Sequence, residues 1–140
     1  MDFSLSEEQR MMVDSAQRMV GRHIQPILDE NDRDRGLPKA AVLKILARAA
    51  DLGLTSARIP VEAGGAGLKM LDYGLMTEQI PAQVALIVQP HEATTTRIYY
   101  GCDEEQKERF LNDCITGTKI ACTASTEPDV GSDPRDVKTT

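Results

Sequence analysis

Thr126-Glu127-Pro128-Asp129-Val130-Gly131-Ser132-Asp133 places a proline, a glycine, a serine and three acids within eight residues. The run before it, Ile120-Ala121-Cys122-Thr123-Ala124-Ser125-Thr126, is rich in small and β-prone residues, and predicts a strand from Lys119 to about Thr126 that feeds a loop. A loop of this kind leaves backbone N–H groups approachable, because no bulky side chain stands in the way. Ser132 next to Gly131 suits a phosphate: a hydroxyl donor sits beside amides that glycine leaves free to turn inward. The same composition also suits a plain turn.

Upstream of this stretch the pattern is helical. Ser6 predicts a helix start and Gln9, three residues on, completes a capping box. Met12, Ala16, Met19, Val20 and Ile24 share one face, with Glu7, Glu8, Asp14 and Arg18 elsewhere. Pro26 predicts a kink or restart before the helix continues to about Asp32. The run Asp29-Glu30-Asn31-Asp32-Arg33-Asp34-Arg35, with Gly36, reads as a solvated connection. Pro38 in a first turn opens a second helix over Ala41, Leu43, Ile45 and Leu46, which Gly53 stops. Leu54 to Pro60 reads as a short extended link into a Gly64-Gly65-Ala66-Gly67 loop. A third helix is expected from about Leu71 to Ile80, ending before Pro81. A fourth, from about Gln83 to Tyr100, turns polar at His91-Glu92 and Thr94-Thr95-Thr96, with Pro90 marking a kink or split. Asp103 and Gln106 cap a fifth, to about Leu111, and Thr116-Gly117 turns the chain into the predicted strand.

Composition excludes several classes. Sixteen basic against 22 acidic residues give a net charge of −6, with no basic run, so nucleic acid is not an expected partner. The longest apolar run, Val84 to Val88, is too short to cross a bilayer. Met1-Asp2-Phe3-Ser4 lacks a charged-then-apolar leader, which leads to the expectation of no signal peptide and a cytoplasmic location. Aromatics at 4% and no Trp predict an aliphatic, Met-rich core. Cys102, Cys114 and Cys122, odd in number and irregularly spaced, predict reduced structural thiols, and His23 and His91 offer no metal-ligand pair spacing.

Other features read as structure. Gly64-Gly65-Ala66-Gly67 lacks the spacing and βαβ setting of a dinucleotide fingerprint, and reads as a loop between helices. His91 reads as a structural histidine, with Glu92 on a different helix face. Glu78 and Glu127 stand as lone carboxylates. With no paired carboxylates, Ser–His–Asp set or P-loop, no catalytic residue is expected in these residues and no metal site.

Thr126-Glu127-Pro128-x-x-Gly131-Ser132-Asp133 resembles the signature of the acyl-CoA dehydrogenase family, flavoenzymes that desaturate acyl-CoA thioesters. Three further stretches resemble the family in order and at roughly its spacing. Leu5-Ser6-Glu7-Glu8-Gln9-Arg10 is similar to its opening helix, and Pro60-Val61-Glu62-Ala63-Gly64-Gly65-Ala66-Gly67 to its first glycine-rich loop. Gly101-Cys102-Asp103-Glu104-Glu105-Gln106-Lys107 is similar to the start of a later helix. The resemblance spans Met1 to Thr140. It implies a mainly α fold: a helical N-terminal domain over residues 1–112, then the first strand and loop of a middle β domain over residues 113–140. The family's C-terminal helical bundle, with its glutamate base, has no counterpart in these 140 residues, which are expected to be inactive alone.

The resemblance further implies FAD as cofactor, with an acyl-CoA substrate, an electron-transfer flavoprotein or similar acceptor, and a homo-oligomer at full length. The cofactor-facing residues it implies are Thr123, Ala124, Ser125, Thr126, Glu127, Pro128, Asp129, Val130, Gly131 and Ser132, with Ser132 also reaching the acyl-CoA. Asp129 and Val130 stand where relatives carry small residues. Thr123 replaces a frequent aromatic, Ser125 a common aliphatic, and Ala63 a frequent tyrosine. Asp129 facing a pyrophosphate would oppose it by about 1 kcal/mol in a wet site. Two alternatives stay open: a helical interaction module that pairs with a separate flavin-carrying chain, and a vestigial fragment.

Overall fold

The structure, a computed structural model, describes residues 4–32 and 35–139; Met1 to Phe3, Arg33 and Asp34 of the charged connection, and Thr140 lie outside them. Helix α1, Glu7–Met19, begins as expected: Gln9 N donates to Ser6 Oγ and Ser6 N to Gln9 Oε1, each at 3.1 Å. Gln9 Nε2 donates to Asp72 Oδ1 at 2.9 Å, so the cap also ties α1 to a helix sixty residues on. The effect of Pro26 is absorbed one turn upstream. Val20–Ile24 widens into a π-helical turn in which Gln25 N–H reaches back to Val20 O, and the short α2, Gln25–Asp29, follows. Proline has no N–H for the carbonyl four residues back and its ring collides with that carbonyl, and a widened turn relieves both.

Helix α3, Lys39–Ala50, starts one residue later than a first-turn proline implies, with Pro38 itself as extended N-cap. Gly53, at φ +72°, reverses the chain. The expected extended link from Leu54 to Pro60 is instead a string of tight turns, and Leu54, Thr55, Ser56, Ala57 and Ile59 are all buried. A buried loop must satisfy its own carbonyls. Here the glycine-rich loop does so: Ala66, Gly67 and Leu68 donate to Ser56 O, Ile59 O and Ala57 O at 3.1, 2.9 and 2.7 Å. A Cβ at Gly65 would lie 2.2 Å from Ile59 O, so glycine there is demanded by backbone packing.

Helix α4, Met70–Thr77, gives way to turns up to Ile80. Helix α5, Ala82–Gly101, runs through Pro90 without interruption, contrary to the expected split. Pro90 and Leu86, whose carbonyl loses its donor, both lie on the exposed face, where the carbonyl is open to solvent and the lost bond is cheap. Helix α6, Glu104–Ile115, carries the Asp103–Gln106 capping box and runs four residues beyond Leu111. The core between these helices is aliphatic, built on Ile24, Ile45, Leu46, Leu54, Val84 and Val88. The strand expected over Lys119–Thr126 is absent as a paired strand: among the described residues β pairing is confined to the bridge between Glu127 and Val130. A segment becomes a strand only when a neighbour accepts its ladder bonds, and none lies alongside.

Among the described residues one ion pair has a buried carboxylate. Arg58 Nη2 approaches Glu92 Oε2 at 2.7 Å and Arg58 Nε approaches Oε1 at 3.1 Å, with Thr96 Oγ1 and the Arg58 backbone N–H as further donors at 2.9 and 3.3 Å. The Glu92 side chain is 2% exposed and that of Arg58 37%. Arg58→Ala strands a buried carboxylate and is expected to cost about 3–5 kcal/mol, whereas Glu92→Gln keeps shape and leaves an arginine that reaches water, and costs less. Urea denaturation of the two variants checks the order. Gly117 supplies an independent test, since at φ +70° its Cβ would meet the backbone of Leu46 at 2.6 Å. Gly117→Ala should lose more than about 1 kcal/mol in the same assay.

Candidate functional site

The segment singled out by sequence leaves α6 through a compact turn. Thr118 N and Lys119 N both donate to Asp113 O, at 3.0 and 3.1 Å, while Lys119 Nζ pairs with Asp113 Oδ2 at 2.6 Å and holds that carboxyl below its ordinary range. The chain then crosses α5. Ala121 N donates to His91 Nδ1 at 3.1 Å, and the other ring nitrogen, Nε2, lies 2.8 Å from Cys114 O. Two residues on, Thr123 Oγ1 lies 2.9 Å from Thr94 Oγ1 and accepts from Arg97 Nη1 at 2.9 Å. His91 is 1% exposed, and burial lowers its pKa below 6.5 against the opposing effects of the Cys114 bond and Glu92.

Beyond Thr123 the character changes. Ala124, Ser125 and Thr126 are exposed, and neither the Ser125 nor the Thr126 hydroxyl has a hydrogen-bond partner among the described residues. The backbone N–H groups of Cys122 to Thr126 are likewise without protein acceptors among them. Pro128 and Asp129 form the corners of a tight turn closed by Glu127 N to Val130 O and Val130 N to Glu127 O, both 3.1 Å. No non-glycine residue described has positive φ, so Asp129 occupies its corner without backbone strain, consistent with a type I turn. Val130 is buried, and its bulk anchors the turn. Gly131 and Ser132 are exposed, and a Cβ on Gly131 would meet nothing within 4 Å, so the approach to Ser132 is open.

Glu127 is not the lone carboxylate expected. Its oxygens accept from Lys138 N at 3.1 Å and Thr139 N at 2.8 Å, and from the Thr139 hydroxyl. These bonds, led by the Thr139 hydroxyl, lower its pKa from 4.5. Asp133 turns toward Arg135, with 2.6 Å between Oδ2 and Nη2. The structure therefore divides the ten candidates. Thr123, Glu127 and Val130 hold the segment, Pro128 and Asp129 form its exposed turn corners, and Ala124, Ser125, Thr126, Gly131 and Ser132 present it to solvent. Sequence reasoning missed His91, Thr94 and Arg97 as supports of the segment. The signal was present in their three-residue spacing, which puts all three near one helix face.

The family model described as "Acyl-CoA dehydrogenase, N-terminal domain" matches residues 6–118. The chain belongs to the acyl-CoA dehydrogenase family. Among curated relatives, the acryloyl-CoA reductase (NADH) of Anaerotignum propionicum is 34% identical over 143 residues, covering 100% of this chain and 35% of that protein. The mitochondrial short-chain specific acyl-CoA dehydrogenase of Homo sapiens is 30% identical over 144 residues, covering 97% and 33%. The FAD complex of PigA superposes with a TM-score of 0.81 at 27% identity, over 97% of this chain and 36% of that one. The chain spans 23–35% of the length of the first curated relatives it matches. Its helical architecture is that of the family's N-terminal domain. Among the described residues no cluster of His, Cys, Asp and Glu could hold a metal ion, and no helix is long and apolar enough to cross a membrane. The three cysteines are free, with Cys114 buried and Cys122 exposed.

The Glu127 bonds give a pH test. Because its pKa is lower folded than unfolded, the carboxylate's contribution is complete above 4.5 and is lost as pH falls through the lowered value. Protection of the Lys138 and Thr139 amides, taken relative to the intrinsic exchange rate at each pH, should be present at pH 6 and lost in acid; in Glu127→Ala it should be absent at both.

Proposed function

We propose that this chain is the N-terminal portion of an FAD-dependent acyl-CoA dehydrogenase, acting on the CH–CH group of acyl-CoA thioesters. One observation carries the reading: the chain holds Cys122 to Thr126 at its surface with five consecutive backbone N–H groups and two hydroxyls left without protein partners among the described residues. Exposed donors in a row, fixed at one end by α5, suit a flat ligand with acceptors along its edge. FAD fits them, and when bound it would supply the acceptor for the hydride leaving the β-carbon as a base takes the α-proton. The residues of this chain would bind and orient. Ser125 and Thr126 would offer backbone donors to the ring, and the Thr126 hydroxyl would add a neutral donor where negative charge grows on reduction. Ser132, with open space beside Gly131, would face a phosphate and the acyl-CoA. Asp129, at an exposed turn corner, can keep its charge in water rather than against the pyrophosphate.

An electron-transfer flavoprotein or similar acceptor completes the proposed reaction. The base and most of the cofactor's walls would lie in sequence beyond these residues, so residues 1–140 by themselves should neither retain FAD nor turn over an acyl-CoA. In the natural polypeptide, Thr126→Val should cost reduced-flavin stabilisation of about 1–3 kcal/mol with little effect on folding. Ser132→Ala should weaken FAD or acyl-CoA retention by a similar or smaller amount. Flavin dissociation constants and reduction potentials check both. If neither variant differs from the parent in either quantity, the loop is a plain turn and the cofactor reading falls.

A further inference from the structure

His91 is the one buried side chain described that bonds both the end of α6 and the segment beyond it. Its two ring nitrogens face groups of opposite kind. Cys114 O can only accept, so Nε2 carries the proton; the Ala121 N–H can only donate, so Nδ1 carries the lone pair. The neutral Nε2–H tautomer satisfies both partners, and neither the other tautomer nor the imidazolium does. We propose that His91 is a positioning residue: a neutral, tautomer-fixed clip that sets the height and direction at which residues 121–126 cross α5, and through them the cofactor-facing donors. The role in cofactor binding rests on the FAD reading above; the role in holding the segment does not.

The geometry supports a clip over mere filling of space. The segment has no sheet partner among the described residues, so its course over α5 is set by few contacts. Ala121 is held by His91, and Thr123 by Thr94 and Arg97, all from α5. These bonds hold the chain just ahead of the free hydroxyls of Ser125 and Thr126. An N–H···N bond from the backbone of Ala121 and side-chain contacts of Thr123 two residues later hold the chain in two different directions, and so fix both its position and its rotation about its own axis.

The surroundings favour the neutral ring. On α5 the neighbouring carboxylate is Glu92, already paired with Arg58 from the buried turns. On α6 the ring meets the Cys114 carbonyl, with the Asp113–Lys119 pair at that helix end, and the segment presents only an N–H. Protonation would place a hydrogen on Nδ1 against the Ala121 N–H. Since the pKa is lower folded than unfolded, the clip is complete above 6.5 and is lost as pH falls from there through the folded value.

Three substitutions separate the two nitrogens. Asn at 91 places its carbonyl oxygen where Nδ1 was, keeping an acceptor for Ala121. Gln places its amide where Nε2 was, keeping the Cys114 bond. Ala keeps neither. Amide exchange in parent and variants, with far-UV circular dichroism to verify the fold, should show Ala121 exchanging at least about tenfold faster in His91→Gln and His91→Ala, and near the parent rate in His91→Asn. Ring nitrogen shifts of the parent need no variant and should show Nε2 protonated and Nδ1 bare at pH 7. A protonated Nδ1 at pH 7, or an Ala121 amide in His91→Ala as slow as in the parent, overturns the clip. FAD dissociation constants in the natural polypeptide should rise about tenfold in the Gln and Ala variants and return toward the parent in Asn. Equal FAD affinity in all variants, with the parent binding FAD, overturns the positioning role. A parent that binds no FAD defeats the cofactor reading and leaves the clip to be judged by exchange and ring shifts.

Discussion

Helix α5 buries polar groups along the second half of one face, and the rest of the chain is arranged to satisfy them. Val84 and Val88 continue into His91, Glu92 and Thr95, all at most 1% exposed. Burying such groups without partners costs several kcal/mol each, more for the charged one. Their partners come from across the sequence. Arg58 arrives from the turns after α3, the Cys114 carbonyl from the end of α6, and the Ala121 amide from the segment beyond it. Thr95 is served within α5, donating to His91 O one turn back, and Thr96 adds a local donor to Glu92. Three otherwise separate parts of the chain are thus held to one helix by its need for hydrogen bonds.

That arrangement explains why the candidate segment is both fixed and free. Its first residues spend their bonding capacity on α5, and its next ones have theirs to spare. Exposed backbone donors without a sheet partner are a liability on most surfaces. Here they are held at a definite height above α5 beside small side chains. The buried Val130 and the bonds of Glu127 to Lys138 and Thr139 close the far side of the turn, so Gly131 and Ser132 return to the surface in a set position.

Much of this was legible in the residues. Ser6 with Gln9 and Asp103 with Gln106 mark helix starts because a side-chain oxygen three residues from a glutamine satisfies two orphan amides by local geometry alone. The family motifs are equally local, and they located the exposed stretch at Ser125, Thr126 and Ser132. The failures share a cause. Leu54 to Pro60 was expected to be extended, but buried turns are stabilised by partners at Ala66 to Leu68 and Glu92. Lys119 to Thr126 has strand composition, but a strand needs a neighbour. Pro90 was expected to split α5, yet its exposed position makes the lost bond cheap. Glu127 reads as lone in the sequence because its partners lie eleven and twelve residues on.

The sequence by itself determined the helices, their caps, the aliphatic core and the place of the exposed loop, since each depends on residues within a turn or two of one another. Tertiary structure alone decided which polar groups of α5 are buried, that Arg58 neutralises Glu92, and that His91 bridges Cys114 and Ala121. Those pairings join residues 23 to 34 apart. They exist because a buried donor or acceptor must find its partner wherever the packed helices bring one near, and no local pattern records where that is.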